Sequence, residues 1–473
     1  MQNVPASPFL SNAKPVLKKL IALLQRHFTY VSVLGTDVSG KNYRVSDRVT
    51  SISDTTWGER GFVIRVFEGG RYYEYAFNLL PDSDTALEKL CETITNNARD
   101  AMQGEGFTYP APVEEEITQT FHGKVETLPT DVSPEEIIAK LTQINKKMHE
   151  TSELLVEAIA TVAYAQTGKI FLSAKKELEQ HYIWSEAYII PVARRGEVTQ
   201  NAYKSYAGLK GFELLEEVEV GITETVQTVV KMLDAKPVPA GEYDVICSPD
   251  AVGIIAHEAF GHGVELDMFL KNRANAKEYM DKPVASPMVK MHDGATATNH
   301  MSSYLFDDEG NLGSDTVIIE GGILKAGISD ALAAAHLGSA PTGNGKRQKY
   351  DHKAYSRMTN TFFAAGNDTV EDMIASISHG YMIMDASSGM EDPKDWGIQC
   401  MFSYAIEIKD GKLTDNWVSP VVMTGYVPEL LKNITMMGKE VEFSGGGGCG
   451  KGHKEWVKVS CGGPYIKTKA RLG

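Results

Sequence analysis

The stretch IIAHEAFGHGVE, residues 254–265, sets the hardest constraint on what this chain can fold into. Its lead-in is apolar (Val252, Ile254, Ile255) and reads as the buried face of a helix. His257, Glu258 and His262 then follow as H-E-x-x-x-H, one residue longer than the H-E-x-x-H of zinc proteases. Side chains four apart on a helix lie about 40° apart and can share an ion. Five apart they lie about 140° apart and cannot, unless the helix is distorted. A π-type turn closes i→i+5 and restores both rings to one face, and such turns gather at functional sites. Gly261 and Gly263 flank the second histidine, where a widened or ending helix tolerates small residues.

Burying two histidines and a glutamate together without an ion or partners is costly. The stretch therefore reads as a metal site, against the alternative of core histidines satisfied by their neighbours. In a hydrolase, Glu258 would be the general base, taking a proton from the attacking water and delivering it to the leaving amine. A third ligand must come from elsewhere. Cys449 is the best candidate, because it follows four glycines that let the backbone approach an ion closely. Cys461 and His453 are rivals. Glu265 and Asp267 suit the role of orienting the histidines.

At 473 residues the chain exceeds what one hydrophobic core usually serves. The sequence DAKPVPAGEYD (234–244) marks a boundary. Two domains are expected: 1–235, of helices and an antiparallel sheet, and 236–473, of mixed or antiparallel sheet with a distorted metal-site helix. The fold class is α+β. Helices are expected at 12–27, 83–102, 134–150 and 213–233. Strands are expected at Tyr30–Leu34, Phe62–Val66, Tyr72–Phe77, Tyr243–Cys247, 315–319, 399–408 and 417–424. Leu154–Ser173 reads as two strands around the TG at 167–168. Ala187–Ala193 pairs with Val198–Tyr206.

The net charge of −15 and the lack of a dense Lys/Arg run exclude a nucleic-acid partner. Five widely spaced cysteines make no disulfide framework, so reduced thiols and a cytoplasmic location are expected. No run approaches the length of a membrane span.

HEAFGHGVELD (257–267), EGGILKAGISD (320–330), RMTNTFF (357–363) and GGCGK (447–451) together resemble the TldD/PmbA family of metallopeptidases, the TldD branch most closely. The resemblance covers the second half densely and the first half loosely. It implies a zinc-dependent peptidase acting on unfolded or extended peptides, with one Zn2+ per chain. By residue it implies His257, His262 and Cys449 as ligands and Glu258 as base. It also implies a dimer, of two copies or with a PmbA-like subunit. Two departures concern substrate preference: Leu266 stands where the family usually has glycine, and the tail after CGK reads GHKEWVKVSCGGP. Arg357, Thr359 and Asn360 are candidate substrate contacts, against a structural role for each. Residues 339–349 read as a loop that either gates access or is ordinary surface. A competing class is a non-catalytic peptide-binding or regulatory subunit with a structural metal, which a fourth ligand (Glu265 or Cys461) would favour.

Overall fold

The computed structural model describes residues 1–473 except Glu105, Gly445 and His453 and the side chains of Lys451, Lys454 and Glu455. The first helix, α1 (Pro8–Leu24), starts where Ser7 caps it by accepting from the Leu10 N–H, and it buries Leu10, Leu17, Leu20 and Leu24. Strands β1 (Tyr30–Ser39), β2 (Glu59–Glu68) and β3 (Arg71–Phe77) follow, then α2 (Asp84–Ala101) and α3 (Pro134–Thr151). Ser133 and Glu136 close a reciprocal capping box on α3, a device that contributes about 1 kcal/mol. Two long strands, β4 (Leu155–Ser173) and β5 (Lys176–Arg195), form the spine of the sheet, and β6 (Lys204–Gly208) lies along β5. Neighbours run β3–β2–β1–β4–β5, each pair antiparallel. Residues 117–122 add one parallel pairing on β5.

Four expectations need correction. Residues 198–206 are divided between two strands, 198–201 and 204–208, and residues 417–424 between strands 412–418 and 421–426, with Ser419 and Pro420 in the gap. Residues 155–173 form one strand, not two. Gly168 pairs inside it with both His181 and Asp37. A Cβ there would lie 3.2 Å from the Ser7 Cβ, so the glycine admits the start of α1 rather than a turn. Residues 213–233 form two helices, α4 (Leu214–Val220) and α5 (Ile222–Met232), broken at Gly221. A side chain at 221 would collide with the Tyr206 hydroxyl.

The second half opens with β7 (Gly241–Cys247) and α6 (Pro249–Ala256). Then come β8 (Met291–Asp293), β9 (Thr316–Glu320), β10 (Asn360–Phe363), β11 (His379–Asp392), β12 (Gly397–Lys409), β13 (Val421–Tyr426), β14 (Gly448–Lys451), β15 (Lys454–Lys458), β16 (Ser460–Gly463) and β17 (Ile466–Leu472). The pairings β7–β11–β12–β13–β17–β7 close on themselves, with β7–β11 parallel and the others antiparallel. A second sheet runs β9–β8–β10–β16, its last pair parallel. Helix α6 lies between the two sheets. Gly253 lets it approach β16, since a Cβ there would lie 2.9 Å from the Gly462 nitrogen. The architecture is α+β, as expected. Among the described residues no helix is long and apolar enough to cross a membrane.

Candidate metal centre

β7 delivers the chain to Ser248 and Pro249, which start α6 with the proline in the first turn. Val252, Ile255, Ala256, Ala259 and Phe260 are buried and hold the helix in the core. At His257 the winding changes. A π-turn spans His257–Gly261, and the His262 N–H donates to the His257 carbonyl, five residues back. That single widened turn overcomes the angular mismatch of five-residue spacing. The two imidazole centres stand 5.0 Å apart at 84°. Gly261 packs closely against Met358. A Cβ there would lie 2.1 Å from the Met358 Sδ.

β14 and β15 form a hairpin that carries Cys449, in register with Val457. The Cys449 Sγ lies 3.3 Å from the His262 Nε2. Ligand atoms of His257, His262 and Cys449 all fall within 4.8 Å of one another, and all three residues are buried. Glu258, next along the π-turn, is buried against Gly389 of β11, where a Cβ would meet the Glu258 Cγ at 2.6 Å. Behind the histidines, the Glu265 Oε2 lies 3.4 Å from the His262 Nδ1. Asp267 lies 3.5 Å from the Lys271 amine.

Burial lowers the pKa of His257 below that of an ordinary imidazole, against the opposing pull of Glu258 and Glu265. The neutral ring is the form that binds a metal. The His257 Nδ1 is buried with no hydrogen-bond partner among the described residues, a condition that an ion at this place would relieve. Two imidazoles and one thiol suit zinc better than a hard cation.

Cys461 stands apart from this group. Its Sγ is 3.1 Å from the Ser444 Oγ, and burial pushes its thiol up to about 11. His453 lies outside the described residues. Among the described residues the ligand-capable cluster is His257, His262 and Cys449, with no fourth member.

The structure brings His257, Glu258, His262 and Cys449 to the wall of one cavity of about 850 Å3. It does not bring Arg357, Thr359 or Asn360 there. Thr359 donates to Asp293, and Asn360 donates to the Gly294 carbonyl and the Ser303 hydroxyl. Both are fully buried. Arg357 donates to the Cys449 carbonyl and lies outside the cavity lining. Residues 339–349 line no part of that cavity. They are pinned, with Asn344 donating to Asp293 and Arg347 paired to Glu74. Two wall features escaped the sequence reading. One is Gly389, whose need is set by Glu258 across the fold. The other is the first-half contribution of Tyr188, Tyr203 and Glu224; no spacing signal connects residues so distant in sequence.

Residues 240–470 match the family model of the PmbA/TldA metallopeptidase C-terminal domain. The chain is 30% identical to the metalloprotease MJ0996 of Methanocaldococcus jannaschii, over 74% of this chain and 76% of that one. It is 30% identical to the zinc metalloprotease TldD homolog of Saccharolobus solfataricus, over 60% and 63%. The crystal structure of TldE from Thermococcus kodakarensis superposes with a TM-score of 0.77 at 18% identity, covering 97% of this chain and all (100%) of that one. It shares the fold.

Proposed function

Because this chain belongs to the TldD/PmbA family of metallopeptidases, we propose that it is a zinc-dependent peptidase acting on unfolded or extended peptides. The observation that carries this reading is the convergence of His257, His262 and Cys449 within 4.8 Å, beside Glu258, at a cavity wall. The two histidines and the cysteine would hold one zinc ion. When bound, zinc supplies a lowered water pKa and polarises the scissile carbonyl. Glu258 would accept the proton of the attacking water and pass it to the leaving amine. Among the described residues three ligands converge without a fourth, which supports a catalytic site over a structural one, closed by four.

The cavity also suggests how a peptide is held. β7 pairs with β11 only as far as Cys247 opposite Ile383. Beyond that point no described strand pairs with that edge of β11, and Ser387, Ser388 and Gly389 line the cavity. An extended peptide added there would bond through its main chain and tolerate varied side chains. The same reading has the chain work as a dimer, with a second copy or a PmbA-like subunit.

The test is elemental analysis of wild type, Cys449→Ala and Glu258→Ala, purified without chelator, followed by cleavage assays on unstructured peptides. About one zinc per chain, lost with Cys449→Ala and kept with Glu258→Ala, is expected. Cleavage is expected in wild type alone. No metal in wild type overturns the reading. Metal without turnover replaces it with a peptide-binding subunit.

A further inference from the structure

Four residues in and behind the cavity wall close a ring of contacts. The Arg357 Nη2 donates to the carbonyl of Cys449 at 2.7 Å. The Arg357 Nε lies 3.5 Å from the Glu265 Oε1. The other Glu265 oxygen lies 3.4 Å from the His262 Nδ1. The opposite nitrogen of that ring, Nε2, lies 3.3 Å from the Cys449 Sγ. The ring of contacts therefore starts and ends on Cys449, passing through three separate segments of chain. Arg357 is 1% exposed and Glu265 fully buried at 0%.

We infer that Arg357 is a positioning residue that couples two candidate ligands, His262 and Cys449, so that each is aimed at an ion only while the other is. The inference rests on the metal-site reading above. It assigns Arg357 no contact with substrate.

The physical argument has two arms. On one, a carboxylate beside the His262 Nδ1 keeps the proton on that nitrogen and leaves the Nε2 lone pair facing the thiol. The Arg357 guanidinium stands next to the fully buried Glu265 carboxylate and offsets the cost of burying it. On the other arm, Cys449 follows Gly446, Gly447 and Gly448, which by themselves restrict the backbone little. The hydrogen bond to the Cys449 carbonyl fixes the residue of that segment whose side chain must point at the ion. The guanidinium serves both arms, donating from Nη2 to the Cys449 carbonyl while Nε pairs electrostatically with Glu265; an ammonium is a single point and cannot reach both.

The test uses full-length protein with three chains: wild type, Arg357→Lys and Glu265→Gln. Zinc affinity is read by chelator competition. Thiolate ligation is read from the thiolate-to-metal charge-transfer band after loading with cobalt(II). Thermal unfolding of the metal-free proteins separates lost folding from lost positioning. Arg357→Lys is expected to weaken zinc binding by about 10- to 100-fold and to diminish the cobalt–thiolate band, with metal-free unfolding close to wild type. Glu265→Gln, which keeps size and removes charge, is expected to weaken zinc binding similarly. It also carries the test alone if the lysine variant does not fold. Wild-type affinity and an unchanged band in the variants overturn the inference and leave the metal site standing. Absence of any metal binding in wild type overturns both.

Discussion

Gly389 and Glu258 meet across the cavity wall with no room for a methyl group between them: a Cβ on Gly389 would stand 2.6 Å from the Glu258 Cγ and 2.9 Å from the Ile254 Cγ1. Gly389 is held in β11 by its pairing with Cys400 of β12, so it has little freedom to yield. Gly389→Ala is therefore expected to displace the Glu258 carboxylate and spare the three ligands. Peptide-cleavage kcat should fall by on the order of 100-fold, the effect of a displacement of about 1 Å at a reacting group. Zinc content should remain that of wild type. Unchanged kcat would show that Glu258 is not held by this contact.

The π-turn is protected by a second contact. Gly261 faces the Met358 Sδ, with 2.1 Å available to a Cβ. Overpacking a buried site costs about 1–3 kcal/mol. Gly261→Ala should lower the thermal unfolding midpoint by several degrees. Adding Met358→Ala should recover part of the loss, because the two residues share one space and their effects couple. A double variant no more stable than Gly261→Ala alone would locate the strain elsewhere.

These two glycines show what the sequence carried and what it did not. The five-residue spacing of His257 and His262 dictated a widened turn by geometry alone, because only one local winding aims both rings together. Helix α3 is legible from its Ser133 cap, and α2 close to its bounds, whereas α1 starts at Pro8, four residues before the expected start, because its Ser7 cap gives no signal in the apolar pattern. The turn expected at Gly168 was not there, because glycine was read as local punctuation. Its reason is the approach of α1 from elsewhere in the chain. Gly448, in the run before Cys449, has a similar reason: a Cβ on it would lie 2.3 Å from the Trp456 indole. For Arg357 the sequence leaves open a peptide contact or a structural ion pair. Arg357 faces Cys449 and Glu265, two partners that only the closed fold brings to it.

Asp385 gives a pH-dependent prediction. It lines the cavity with a φ of 56°, in the left-handed region. Burial, and then Asp250, raise its carboxyl from an ordinary 3.8 to about 7. Between those values the folded chain keeps a proton that the unfolded chain has released. Stability at this group is thus full below about pH 4, falls as pH rises, and reaches its lowest level above about pH 7. Asn accepts the same backbone region and does not titrate. Asp385→Asn should match wild type in denaturant midpoint near pH 4 and exceed it at pH 8. Equal midpoints at both pH values would mean that Asp385 ionises in the folded protein as it does in water.

The two cysteines at the cavity make the final prediction. Cys449 and Cys461 both line the same space, and the chain offers either as a thiol ligand. Their surroundings separate them. The Cys449 Sγ is within 3.3 Å of the His262 Nε2. The Cys461 Sγ has the Ser444 Oγ at 3.1 Å, and its thiol is pushed up to about 11, chiefly by burial. A thiol must lose its proton to ligate, so Cys461 starts at a disadvantage and lies outside the ligand cluster. Cys461→Ala is expected to retain zinc and peptide cleavage within about twofold. Cys449→Ser is expected to lose zinc affinity by well over the roughly 10- to 100-fold typical of residues that only orient ligands, and to lose cleavage with it. Chelator competition on the two variants, followed by a cleavage assay, decides the matter. Zinc lost with Cys461→Ala would make that thiol a fourth ligand, close the site, and turn the metal from catalytic to structural.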